Sequence, residues 1–364
     1  MNNAEYWLLY RAAFKLEDPT EEEYLRIEKL YQAEGRDEIY SRAKRKKIIH
    51  AVACLLSKLN IDKEYWQPIA NSYRERNEAV VSCLDSVYHS LNTAGVEKMG
   101  VVENFGALLC GESDLAMFGS GDADNYADIS EKEKIYEVMK QQGYEIVESK
   151  AGNILVSTAF KNCPDLPDCF YFSINWDLTN RVNLPGFTCK KPFIQWDQST
   201  FYRDTSIRIP PIEALMYICL LHIAVHGFCK APDIRLYYDI ASVAKREIDW
   251  SKIEEWAIRD QHQTRIAVAT MLSNRLLNVS IPDQIMNLGK PQQRDKLLQI
   301  VSDAKENRLK DFPNKLTSLQ IDIDSCDGGI ASGLKYVFFP DSDWIKRKYG
   351  SVLVGHIRHL IDLC

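Results

Sequence analysis

The chain has 364 residues, of which 46% are hydrophobic and 26% charged, with a net charge of -6. That length points to two or three compact units sharing contacts, and the composition suits a folded protein with a large apolar core, which excludes a disordered chain. The negative balance offers no global field for a polynucleotide backbone or an anionic membrane, so nucleic acid is disfavoured as a partner.

The opening MNNAEYWLLYRAAFKLED lacks the charged start, apolar stretch and small-residue cleavage site of a secretory signal. No apolar run approaches the ~20 residues that span a bilayer. A cytoplasmic protein with no membrane partner is the expectation. The ten cysteines are scattered without a CxxC pair, which disfavours zinc and suits reduced thiols acting as small hydrophobes.

From Glu5 to Ala94 apolar residues recur at three and four positions, as at Ala51, Cys54, Leu55 and Leu59, and predict helices. Thr20 followed by Glu21, Glu22 and Glu23 marks a capped helix start. The cluster Arg42, Lys44, Arg45, Lys46 and Lys47 lies within this helical pattern and reads as a solvated face, with a phosphate-rich partner as the alternative. Near Gly95 the texture changes to short apolar runs mixed with glycines and acids, predicting a sheet with its loops. A helix over Ser130–Gln142 is followed by extended segments at Tyr144–Glu148, Asn153–Phe160 and Cys169–Trp176. From Pro211 onward the pattern is helical again, with one long helix opening at Trp250 and running to Leu277, and a break at Pro282. The fold class expected is α+β, a small mixed sheet with helices, flanked by helical regions. The boundaries are 1–95, 96–208 and 209–364.

The segment FGSGDADNYADI carries the chemistry. Asp122 and Asp124 are two apart on an extended stretch, so both carboxylates point to one face. Hard oxygens placed this way suit Mg²⁺, with substrate phosphates completing the shell. A small residue on a preceding turn lets backbone amides approach phosphate, and Gly106 or Gly111 can serve, with Ser120 beside the pair. An acidic turn capping Asn125 and Tyr126 is the plainer reading. A second Asp-x-Asp, at Asp322 and Asp324, has no glycine turn before it and reads as a solvated loop. His222 and His226 share a helical face but have no third ligand nearby, so packed histidines are favoured over zinc. Arg235 and Asp239 are spaced for a helical ion pair, with a triphosphate contact for Arg235 as the alternative. Trp176, Trp196 and Tyr202 read as core aromatics.

With FGALL at 105–109, SGDAD at 120–124, PPIEALMYICLLHIAVHG, RLYYDIASV, IDW at 248–250 and FFPDSDWIKRKYG in order, the chain resembles the uncharacterised bacterial nucleotidyltransferases with a polymerase-β-like domain. The resemblance implies a nucleotidyltransferase domain with flanking helices. It further implies Mg²⁺-dependent transfer of a nucleoside monophosphate, AMP from ATP, to a hydroxyl of a small molecule, peptide or protein, with release of pyrophosphate. Asp122 and Asp124 would hold the metal, Gly106, Gly111, Ser120 and Arg235 the nucleotide. Two departures stand out. The family's lysine beside the glycine is Phe105, and its acidic strand position is Ser173. Asp177 is the nearest replacement acid, though four residues along a strand is about 13 Å, so a bend would be required. Asp128 is a second candidate. The alternative function is a degenerate member that binds a nucleotide or partner without turnover.

Overall fold

The computed structural model describes residues 3–148, 154–159, 169–176, 194–230, 233–303, 307–310, 314–327, 329–338, 345–346 and 349–363. Four helices come first: α1 Asn3–Phe14, α2 Glu21–Arg45, α3 Ile49–Lys58 and α4 Lys63–Thr93. The start of α2 is fixed by a capping box, in which the Thr20 hydroxyl accepts from the Glu23 amide and the Glu23 carboxylate accepts from the Thr20 amide. Gly35, at φ +76°, interrupts α2 with a backbone conformation that side chains disfavour, and the helix kinks there.

The middle of the chain forms β1 Met99–Val101, α5 Glu103–Cys110, β2 Asp122–Ala127, α6 Lys132–Gln141, β3 Val147–Glu148, β4 Ile154–Ala159 and β5 Cys169–Asn175. The sheet order is β1-β2-β5-β4-β3. Only β2 and β5 run parallel; the other neighbours are antiparallel, which makes the sheet mixed. Gly143, at φ +79°, follows α6 and lets the chain turn toward β3.

Alternation along the strands sorts the two faces. Ala123, Asn125, Phe170, Phe172 and Ile174 lie on the face against α4 and α6, where the buried Asn125 accepts from Tyr88 Oη of α4 at 2.8 Å. Asn125 also donates to the Ala123 and Ser173 carbonyls, so its burial leaves no amide proton unused. Asp122, Asp124 and Ser173 fall on the opposite face.

A two-strand ladder, β6 Thr200–Phe201 with β7 Arg208–Ile209, leads into the C-terminal helices. These are α7 Ile212–Val225, α8 Asp233–Val243, α9 Trp250–Arg259, α10 Gln263–Leu277, α11 Asp283–Met286 and α12 Pro291–Val301. A small hairpin follows, β8 Ser302–Asp303 and β9 Arg308–Leu309, then α13 Lys315–Asp324, α14 Gly329–Phe338 and a last helix at Val352–Leu363. A single apolar core runs through all three regions, from Tyr6 through Phe105 and Phe172 to Leu276. The class is thus α+β, a small mixed sheet among many helices. Among the described residues no helix is long and apolar enough to cross a membrane.

Three expectations need correction. The helix expected from Trp250 to Leu277 is two helices. Gln261 takes φ +57°, and the His262 amide closes on the Ala257 carbonyl, which ends α9. The C-terminal region is not helical throughout, because β8 and β9 pair within it. Asp322 and Asp324 lie in α13 rather than in a solvated loop. Asp324 is buried and takes Lys296, and burial pushes the Asp322 carboxyl up to about 6.

Candidate functional site

The site is assembled on the first residues of β2. Asp122 is half-buried and Asp124 is 7% exposed, both on the face away from α4. Ser120 Oγ donates to Asp122 Oδ1 at 2.6 Å, which orients that carboxylate, and the Asp124 carbonyl accepts from the Val102 amide at the start of α5.

The loop leading into β2, Gly119 to Gly121, has its three carbonyls taken by donors from three elements. Arg235 Nη1 of α8 donates to Gly119 O at 3.2 Å, Arg76 Nη1 of α4 to Ser120 O at 3.2 Å, and the Tyr171 amide of β5 to Gly121 O at 3.0 Å. The amides of the same three residues have no protein acceptor among the described residues, and the segment is half-exposed. Carbonyls held inward and amides left for an external acceptor are what a phosphate-binding turn needs. Gly119 itself is required by the packing. A Cβ there would come within 3.0 Å of the His50 ring of α3, which is fully buried.

Helix α8 brings charge into this region at a cost. All of its eleven residues are buried, yet it carries Asp233, Arg235 and Asp239. Asp233 takes Lys46 at 3.2 Å. Burial draws the Arg235 guanidinium below its ordinary range, and Asp239, Asp122, Asp124 and Glu103 oppose that, in that order. Asp122 and Asp124 thus lie within electrostatic reach of Arg235. Asp239 is pushed up to about 7 by burial, only partly offset by Arg235, and its Oδ2 has no hydrogen-bond donor among the described residues. His50 is driven down to about 3, first by burial and then by Arg235.

Glu103, the first residue of α5, adds a buried carboxylate at φ +54°, a conformation uncommon for a side-chain-bearing residue. Its Oε2 lies 3.3 Å from His222 Nδ1, and the His222 and His226 rings are 4.9 Å apart. The histidines are thus tied to a carboxylate and to each other. Among the described residues no group of three or more His, Cys, Asp or Glu side chains is placed to hold a metal.

Gly106 and Gly111 are held by close packing around α5. The space a side chain would take at Gly106 is filled by the Val101 carbonyl, and at Gly111 by the Ser242 backbone. Both glycines allow α5 to approach its neighbours closely. Phe105 is fully buried, with its ring centroid 4.5 Å from that of Phe118. Ser173 pairs with Asp124 in the parallel β2–β5 register, so the position beside the inner aspartate carries a buried hydroxyl. Asp177 lies outside the described residues. Asp128 caps the turn at Ile129–Glu131, with its side chain accepting from the Ser130 amide. Trp176 and Tyr202 are buried, and Trp196 stacks on Tyr126 at 6.1 Å.

Of the residues expected from sequence, Asp122, Asp124, Ser120 and Arg235 come together. The loop is also shaped by Gly119, His50 and Arg76, and Glu103 lies near Arg235. The glycine was visible in FGSGDAD; the other three lie on separate segments and carry no local signal.

A family model described as "Uncharacterised nucleotidyltransferase" matches residues 32–278. The chain belongs to that family, which spans the last part of the kinked α2, the sheet and helices α7 to α10. No curated protein and no solved structure gave a match.

Proposed function

We propose that the protein transfers a nucleoside monophosphate from an NTP, taken to be ATP, onto a hydroxyl of a small molecule, peptide or protein, with loss of pyrophosphate. Nucleotidyl transfer follows from family membership. The single observation supporting the finer reading is the juxtaposition of Asp122 and Asp124 with the Gly119–Gly121 turn, whose carbonyls are occupied and whose amides have no protein acceptor among the described residues.

The donor set fits one hard cation. Two carboxylates on one strand face match Mg²⁺, which keeps waters and takes its remaining ligands from phosphate oxygens. When bound, that ion would draw charge from the phosphates and hold the triphosphate in line. Asp122 and Asp124 would be its ligands. The amides of Gly119, Ser120 and Gly121 would contact phosphate oxygens, and Ser120 would keep Asp122 oriented. Arg235 fixes the turn through the Gly119 carbonyl and offsets the mutual repulsion of the two aspartates before nucleotide arrives.

A second reading rests on Ser173. With a hydroxyl in register beside Asp124, and without a third carboxylate at that position, the site could hold a nucleotide and lack turnover. One experiment separates the two. ATP with Mg²⁺ is titrated calorimetrically, and pyrophosphate release is followed with a pool of cell-extract acceptors, for the parent and for Asp122→Asn. Binding with release, lost at least 100-fold in the variant, supports the enzyme. Binding without release supports the second reading, and no binding removes both.

A further inference from the structure

The basic cluster at the end of α2 lies on the rim of a cavity. A space of about 640 Å³ opens between α1, the last turn of α2 and the β8–β9 hairpin, within the range of small-molecule sites. Five cations line it: Arg42, Arg45, Lys46, Arg308 and Lys310. Tyr6, Trp7 and Tyr10 of α1 form its largely buried aromatic floor. Among the described residues no acid lines it, although the whole chain carries a net charge of -6.

The cluster is a solvated face only in part, since Lys44, Arg45 and Lys47 are exposed while Arg42 and Lys46 turn inward. The Arg42 and Lys46 side chains are each only 12% exposed. Arg42 sits over the Tyr6 ring at 4.0 Å and is held by Glu38 at 2.6 Å, while Lys46 is held by Asp233. Glu38 also lies 4.0 Å from Arg45, and Arg308 pairs with residue 303 in the backbone register of the hairpin ladder. Neighbouring acids thus fix the inner cations from behind, while the cavity itself presents positive charge. Arg45 is 60% exposed, and Lys310 is exposed at the hairpin's end.

Arg45 and Lys310, exposed at the recess, add positive charge to the paired cations behind them, and an entering anion lowers their mutual repulsion. Guanidinium and ammonium groups over aromatic rings suit a compact phosphate-bearing ligand, since phosphate oxygens accept several charge-assisted hydrogen bonds at once. We infer that this cavity binds a phosphate-bearing small molecule at a site separate from the Asp122 and Asp124 pair. The recess is of small-ligand size, and the protein's overall negative charge opposes a long polynucleotide.

The test is isothermal titration of the full chain, without divalent cations, using inorganic tripolyphosphate, ATP and a single-stranded oligonucleotide. The parent is compared with Arg45→Ala/Lys310→Ala, whose exposed positions spare the core, and with Asp122→Asn. Tripolyphosphate should bind the parent and Asp122→Asn alike, more weakly as salt rises, and at least tenfold more weakly to the double variant. ATP binding tighter than tripolyphosphate assigns the ligand to nucleotides, and the reverse assigns it to bare phosphate chains. Absence of tripolyphosphate binding to the parent, equal binding by the double variant, or binding of the oligonucleotide alone overturns the inference.

Discussion

Asp239 gives the sharpest quantitative handle on the buried charge of α8. Its carboxyl is raised from 3.8 to about 7 in the folded protein, chiefly by burial. A raised acid contributes stability that is complete below its unfolded value and is lost as pH rises through its folded value. Each pH unit across that interval costs about 1.4 kcal/mol, so the whole crossing costs about 4 kcal/mol. His50 has the opposite sign. Lowered from 6.5 to about 3, it contributes stability that is complete above 6.5 and is lost as pH falls toward its folded value. Between 3.8 and 6.5 the two slopes oppose each other, which flattens the parent's pH dependence in that range. Asp239→Asn removes one slope and keeps the shape of the side chain. In urea unfolding from about pH 4 to about pH 8, the variant's stability relative to the parent should climb by about 4 kcal/mol. A difference that stays constant with pH would refute the raised carboxyl and the cancellation built on it.

Two further substitutions test the turn and the sheet register. Gly119→Ala sets a Cβ within 3.0 Å of the buried His50 ring and should cost about 1–3 kcal/mol, read as a lowered Tm, with nucleotide binding weakened alongside; a Tm equal to the parent's would deny the close approach. Ser173→Asp places a carboxylate beside Asp124 in the parallel register, so it should lower Tm without metal and make Tm rise with added Mg²⁺ by more than in the parent; a Mg²⁺ response no larger than the parent's would argue against that register.

What sequence could and could not reveal follows from the range of each interaction. The Thr20 cap, the N-terminal helices and the strand carrying Asp122 and Asp124 depend on neighbours within a few residues, so their patterns are visible locally. Glycine serves both open turns and close helix packing, and spacing alone does not separate Gly106, pressed on the Val101 carbonyl, from Gly119, pressed on His50. The two Asp-x-Asp copies divide by secondary structure. On β2 residues two apart share a face, whereas in α13 they point about 200° apart around the axis. Arg76 and His50 reach the turn from α4 and α3, at sequence separations where no short motif forms. The cavity behind the basic cluster arises from a hairpin more than 250 residues downstream of α2, and only the folded chain brings them together.

The two arginines that hold the Gly119 and Ser120 carbonyls come from opposite sides of the family's matched span, Arg76 before the sheet and Arg235 after it. Asn77, next to Arg76, adds bonds to the Leu115 and Phe118 carbonyls just upstream of the turn. The turn is thus a keystone between two abutments. A fragment holding only the sheet would contain both aspartates and still lack the parts that shape the turn before them, so the flanking helices belong to the site and are not appendages to it.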